Sequence, residues 1–139
     1  AVSWLFLVVW SCDTGAYFAG RRIGGPKLAP RVSPNKTWSG LLGGMALAAL
    51  ASALLAVAMG LAGVAMLALL GAFLALISQS GDLAESAVKR HFKVKDSGAL
   101  IPGHGGMLDR VDGVLFAAPA LVLMTLASTL APTLDVLPW

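Results

Sequence analysis

Charged residues are scarce in this sequence, and one long stretch has none. They make up 12% of the 139 residues, and no Asp, Glu, Lys or Arg occurs from Thr37 to Gly81. A helix of that length would extend about 67 Å, whereas the apolar core of a bilayer is about 30 Å thick. The stretch therefore predicts two membrane spans with a short turn near Met59, Gly60 and Gly63. With 58% hydrophobic residues, the composition excludes an ordinary water-soluble domain.

Cysteine and histidine are also rare. The single Cys12 excludes an internal disulfide, and His91 and His104 are too few to give zinc-site spacing. No nucleic-acid recognition motif accompanies the net charge of +3, so nucleic acid is not an expected partner. The sequence begins with Ala and has no basic leader, which we interpret as a fragment or processed product rather than a signal peptide.

Two more apolar stretches predict further spans, one from the first residue to about Gly20 and one between Asp112 and Asp135. The third span is expected to continue beyond the bilayer as a polar helix, followed by a glycine-rich loop at Ser97 to Gly106. The predicted fold is all-α: a polytopic transmembrane helical bundle of about four spans plus a cytoplasmic polar helix and loop. Residues 1–139 are expected to form a single transmembrane catalytic domain.

The basic residues predict the orientation of these spans. All ten Lys and Arg fall within two segments, Arg21 to Lys36 and Lys89 to Arg110. The positive-inside rule places both segments in the cytoplasm. Four spans then put both chain ends, together with the turn near Gly60, on the outer side.

Carboxylates mark a candidate metal site. Asp109 and Asp112 are one helical turn apart, so they face the same way and repel each other unless a cation lies between them. Asp82 ends a long uncharged span, where a lone acid is usually functional. Such hard oxygen ligands favour Mg²⁺, with a second cation left open. The alternative is simple pairing with Arg110 and Lys89 at the membrane surface.

Basic residues and glycines surround the same region. A polyphosphate would be neutralised by the cations and approached closely by backbone N–H groups of the glycines. The alternative is a basic loop that sets topology against anionic headgroups. His104 fits a phosphate contact and a structural hydrogen bond equally well. The residues concerned are Lys89, Arg90, Lys93 and Lys95, then Gly103, His104, Gly105 and Gly106.

The first basic segment ends in a polar stretch before the second span. Ser33 or Asn35 is expected to cap that span and leave N–H groups for an anion, with Lys36 and Thr37 beside them as substrate-binding candidates. The alternative is a helix cap combined with anchoring at the membrane surface.

Taken together, these residues resemble those of the phosphatidate cytidylyltransferases, also called CDP-diacylglycerol synthases. The family signature reads here as SAVKRHFKVKDSGALIPGHGGMLDRVD, from Ser86 to Asp112. The resemblance also covers Ser11 to Gly25, Ser33 to Gly40 and Gly81 to Ser86, and therefore nearly the whole chain. Members of the family are typically about twice as long, so the sequence resembles their C-terminal half.

The resemblance implies transfer of a cytidylyl group from CTP to phosphatidate in a bacterial-type inner membrane, with the active site on the cytoplasmic side. The metal ligands would be Asp82 and Asp109, with Asp112 close by. The expected partners are CTP, phosphatidate and membrane lipid, and a homodimer is left open. The implied catalytic residues are Lys89, Arg90, Lys95, His104 and Arg110, and Gly105 and Gly106 join the substrate-binding residues.

Other function classes stay open from sequence. A CTP-dependent lipid kinase is a rival membrane enzyme, whereas a CDP-alcohol phosphotransferase lacks support because its paired Asp-Gly and Ala-Arg arrangement is absent. A small ion or metal transporter would use Asp13 and Asp82 as ligands within the membrane. An inactive assembly fragment would fail to bind CTP with Mg²⁺.

Overall fold

Three long helices form the part of the protein that the computed structural model describes, residues 2–91 and 117–123. Helix α1 is Val2–Arg22, α2 is Trp38–Ala58 and α3 is Val64–His91. Each is long and apolar enough to cross a membrane. The predicted all-α membrane bundle is confirmed. Residues 117–123 are also helical, while the remainder of the predicted last span and the loop at Ser97 to Gly106 lie outside the described residues.

The turn between α2 and α3 falls where the glycines predicted it. Helix α2 ends at Ala58, and Gly60 follows with a φ of 68°, a left-handed conformation that glycine adopts without a Cβ penalty. The predicted polar extension of the third span is also confirmed, because α3 continues without interruption through Asp82 to His91.

A small hairpin replaces the expected loop between α1 and α2. Strands β1, Lys27–Ala29, and β2, Ser33–Thr37, pair antiparallel with an irregularity in register. The expectation that Ser33 or Asn35 caps the second span is wrong, because α2 begins at Trp38 and both residues lie earlier in β2. Thr37 is the N-cap instead, and its side chain accepts a hydrogen bond from the Gly40 amide at 3.1 Å.

Helices α1 and α2 pack closely because small residues face each other. A Cβ on Gly44 would lie 2.8 Å from the Cys12 carbonyl oxygen, and one on Gly15 would lie 2.6 Å from the carbonyl oxygen of Gly43. Such backbone proximity is typical of helix pairs in membranes, where packing rather than water exclusion drives association. The close approach of the two helices places Cys12 of α1 directly against Gly44 of α2.

The core lies among all three long helices and also receives residues 117–123. Trp4, Leu67 and Leu74 are buried, as are Ala117 and Leu121. The segment 117–123 therefore packs against the core through Ala117 and Leu121, whereas Val122 and Leu123 are exposed. Leucine and valine side chains on the outer faces of α2 stay exposed in the protein, as expected for surfaces that meet lipid.

One buried hydrogen bond joins α1 to α2, and its removal should lower stability. The Trp4 indole N–H donates to the Ser52 hydroxyl at 3.0 Å, and the Ser52 side chain is fully buried. Ser52→Ala should cost about 1 kcal/mol, since the indole N–H loses its acceptor in an apolar interior. The measurement is the thermal unfolding midpoint in detergent. Ser80→Ala is the control, because the exposed Ser80 hydroxyl donates to the Leu76 carbonyl of its own helix. Equal shifts for the two variants would contradict the prediction.

Candidate active site

A polar cavity lies where α1, the hairpin and α3 meet. Its volume is about 280 Å³. Helix α1 contributes Asp13 and Tyr17, and α3 contributes Gln79 and Asp82. The remaining lining residues come from the hairpin and α2: Leu28, Ser33, Asn35, Lys36, Thr37, Gly40 and Leu41, with Ala16 from α1.

Lys36 is the central cation of this cavity. Its ammonium forms a salt bridge with Asp82 and donates a hydrogen bond to Gln79 Oε1 at 3.2 Å. The salt bridge therefore links β2 to α3, although Lys36 and Asp82 are 46 positions apart in sequence. Partial burial strengthens this pair relative to an ion pair in open water.

Asp13 supplies a second carboxylate to the same cavity. It stands on α1, and it has no hydrogen bond or salt bridge with any residue in the described part of the chain. When Asp13, Asp82 and Lys36 are all ionised, the three side chains carry a net charge of −1. The cavity then attracts cations and repels a free polyanion.

The donors in the cavity match a hard cation in type. Carboxylate oxygens of Asp13 and Asp82 and the side-chain oxygens of Ser33, Asn35 and Thr37 are the ligands that Mg²⁺ prefers. Within residues 2–91 and 117–123, however, no three His, Cys, Asp or Glu side chains come close enough to hold a metal. These residues therefore fit Mg²⁺ only as part of a larger ligand set.

The predicted site residues divide into three groups. Asp82, Ser33, Asn35, Lys36 and Thr37 all line the cavity, so the structure brings together residues from two distant segments. Thr37 has in addition the structural role of capping α2. The predicted residues that lie outside the described part are Lys95, His104, Gly105, Gly106, Asp109, Arg110 and Asp112.

Lys89 and Arg90 make the third group, because they do not line the cavity. Lys89 pairs with Glu85 at 2.8 Å, one turn earlier on α3. Arg90 Nε donates to the carbonyl of Val32 at 2.5 Å and so fastens the end of α3 to the hairpin. The Arg90 contact therefore joins α3 to the hairpin, whereas the Lys89 contact lies within α3. The catalytic role of these two residues stays a prediction.

Sequence reasoning missed Gln79 and gave Asp13 only a transport role. Gln79 carries no charge, so it stands out only as an amide within an otherwise apolar span. Asp13 was visible as a lone acid in a span, but its position opposite Asp82 depends on how α1 packs against α3. Tyr17, one turn after Asp13, follows from the same helix face.

The family of the chain follows from comparison with known sequences. The model of the cytidylyltransferase family matches residues 1–128. The chain belongs to this family. The match includes every cavity-lining residue and most of the stretch beyond α3. It confirms the resemblance noted from the sequence motifs.

Individual cytidylyltransferase relatives are similar over most of this chain. The phosphatidate cytidylyltransferase of Brucella suis is 60% identical over 122 residues, which are 88% of this chain and 45% of the relative. The Bacillus subtilis enzyme of that name is 49% identical over 119 residues, 85% of this chain and 44% of the relative. That of Staphylococcus epidermidis is 46% identical over 120 residues, with 86% and 46% covered. The chain thus spans less than half the length of these relatives.

Proposed function

We propose that the chain is the catalytic half of a phosphatidate cytidylyltransferase, which transfers a cytidylyl group from CTP to phosphatidate. The observation that carries the proposal is the cavity holding Asp13, Asp82 and Lys36 within a bundle of apolar helices. Relatives that bear this enzyme name match 85–88% of the chain. A polar site inside a membrane bundle suits a lipid substrate, because its tails stay in the bilayer while its headgroup meets CTP.

The proposed reaction joins two anions. A phosphate oxygen of phosphatidate attacks the α-phosphorus of CTP, a new P–O bond forms, and the bond to the leaving pyrophosphate breaks. The attacking oxygen is already anionic at neutral pH, so no protein base is needed. Catalysis then consists of alignment and charge neutralisation.

Lys36 is proposed to neutralise and orient substrate phosphate. Its ammonium has three N–H donors, two of which bond to Asp82 and Gln79. Among the described residues the third has no acceptor, and we propose that it donates to an oxygen anion entering the cavity. Ser33 and Asn35 on the same strand supply side chains that hydrogen-bond the same ligand.

Asp82 and Asp13 are proposed to make the cavity accept a cation together with the nucleotide. Asp82, with Asp109 and Asp112 from beyond the described residues, would hold Mg²⁺. Mg²⁺ supplies charge neutralisation on phosphate oxygens. When Asp13, Asp82 and Lys36 are all ionised, their charges sum to −1, and an accompanying cation then also removes the repulsion that a bare triphosphate would meet.

The activity assay follows transfer of radiolabel from α-³²P-CTP into lipid in detergent micelles containing phosphatidate. CDP-diacylglycerol as the labelled product supports the proposal. A labelled lipid from γ-³²P-CTP would instead indicate a CTP-dependent lipid kinase. Cation flux into liposomes without nucleotide would instead favour the transporter.

We also propose that the cavity faces the cytoplasm of a bacterial inner membrane. The basic ends of α1 and α3 and the hairpin lie at one end of the bundle, while the turn at Gly60 lies at the other and has no charge. Positive charge near membrane spans marks the cytoplasmic side.

Cysteine labelling tests this orientation. In spheroplasts, Gly60→Cys should react with an impermeant maleimide, whereas Lys27→Cys should react only after the membrane is opened. Wild type gives the background, because its single Cys12 is buried. Labelling of both variants from the same side would contradict the proposed topology.

A further inference from the structure

Gln79 connects three separate parts of the site. Its side chain is buried, with 6% exposed. The amide oxygen accepts a hydrogen bond from Lys36 Nζ at 3.2 Å, and the amide nitrogen donates to Cys12 Sγ at 3.4 Å. Helix α3 is thereby joined to β2 on one side and to α1 on the other.

The neighbours of Gln79 permit only one orientation of its amide group. The Lys36 ammonium has donors and no acceptor, so it must face the amide oxygen. The amide nitrogen then faces the Cys12 sulfur, which can accept because its own S–H is directed to the Ala75 carbonyl at 3.8 Å. Reversing the amide would set its NH₂ group against an ammonium and its oxygen against sulfur.

This arrangement fixes the direction of Lys36 as well as its position. A salt bridge to Asp82 alone would leave a long, flexible side chain free to swing about one contact. A second hydrogen bond from a buried, oriented amide holds the ammonium at two points. With the ammonium held at two points, its remaining N–H keeps one direction relative to the cavity that Lys36 lines.

We propose that Gln79 is a positioning residue that holds the Lys36 ammonium so that its remaining N–H meets a phosphate oxygen of the anionic substrate. The inference rests on the proposed function, from which the identity of the anion as a nucleoside triphosphate is taken. Gln79 acts through Lys36 and does not itself touch the substrate. Cys12 acts one step further away, by keeping the amide in its orientation.

A double-mutant cycle tests whether Gln79 acts through Lys36. Gln79→Met, Lys36→Met and the double variant are compared with wild type for binding of radiolabelled CTP with Mg²⁺ by equilibrium dialysis. Gln79→Met should weaken binding about tenfold when Lys36 is present, the scale of a hydrogen bond to a charged group, and less than about twofold in the Lys36→Met background. Equal losses in both backgrounds would overturn the proposal, because Gln79 would then act independently of Lys36.

Cys12→Ala provides a second variant, since it leaves both Gln79 and Lys36 in place. It should weaken binding in the same direction by less than Gln79→Met, while Cys12→Ser, which retains an acceptor for the amide, should bind like wild type. Ser80→Ala is the control on α3, because the exposed Ser80 hydroxyl donates to the Leu76 carbonyl of its own helix. If Cys12→Ser weakens CTP binding as much as Cys12→Ala does, the proposal that Cys12 orients the Gln79 amide is contradicted.

A measurement without nucleotide separates this inference from the proposed function. Acetic anhydride acetylates accessible lysines, and mass spectrometry compares Lys36 with exposed Lys27 on the same hairpin. Gln79→Met should raise the ratio of Lys36 to Lys27 modification severalfold, because the ammonium loses one of its two restraints. An unchanged ratio overturns the positioning role. Wild type that fails to bind CTP contradicts the proposed function, and the acetylation ratio then decides the role of Gln79 by itself.

Discussion

Replacing Asp82 with Asn should lower cytidylyl transfer by at least about a hundredfold, the scale of losing a main electrostatic stabiliser. The side chain keeps its size and its capacity to hydrogen-bond, so the change removes mainly charge. Asp82 is the salt-bridge partner of Lys36 and the carboxylate that α3 contributes to the cavity. Its loss removes a proposed cation ligand and one of the two restraints on Lys36 together.

The matched control for this prediction is Glu85→Gln, one turn further along α3. It makes the same carboxylate-to-amide change on the same helix, but Glu85 pairs with Lys89 and does not line the cavity. Initial rates with radiolabelled CTP should fall only a few-fold in this control, because the Glu85–Lys89 pair lies within α3 and neither residue lines the cavity. The same pair of substitutions in a full-length relative gives the reference rate scale. Similar losses for the two variants would contradict a specific role for Asp82.

Helices and turns were predictable from this sequence because their signals are local. A run without charge, long enough for two spans, dictates two membrane helices, and a glycine near its middle marks the turn at Gly60. Continuation of α3 past Asp82 followed from apolar residues at helical spacing among charged ones. Each of these conclusions needs only a window of neighbouring residues.

The hairpin was missed because its strands are short, polar and interrupted by Pro34. Proline and charged residues within a stretch are poor strand signals, and only pairing with β1 reveals Ser33–Thr37 as a strand. The helix cap was misplaced for the same reason. Because the strand continues through Thr37, α2 begins only at Trp38, and Thr37 rather than Ser33 or Asn35 is its N-cap.

The sequence predicted which types of residue form the site, but only some of the individual residues that line it. Asp82 was conspicuous as a lone acid at the end of an apolar span, and Lys36 lay in a polar stretch already assigned to substrate. Their salt bridge joins residues 46 positions apart and follows from tertiary packing alone. Gln79 had no charge to reveal it, although burial makes a neutral amide as consequential for its neighbours as a carboxylate.

The last prediction concerns the acids beyond α3 and separates a metal-centred transferase from a basic loop that only anchors the protein to anionic lipid. Asp109→Asn should lower turnover by at least about a hundredfold, since Asp109 and Asp112 are expected one helical turn apart with a cation between them. Raising the Mg²⁺ concentration should partly restore the rate, because a site weakened by one charge still binds the ion at higher concentration.

Lys93→Gln is the contrasting variant, because Lys93, unlike Lys89 and Lys95, is not among the residues predicted to be catalytic and is expected to be solvated. Its rate should stay near that of wild type at every Mg²⁺ concentration. The measurement is the initial rate against Mg²⁺ for wild type, Asp109→Asn and Lys93→Gln, in this chain and in a full-length relative with the matching changes. If Asp109→Asn keeps the wild-type rate while Lys93→Gln is inactive, electrostatic anchoring explains the charge pattern better than a metal centre, because only the anchor depends on each positive charge in the loop.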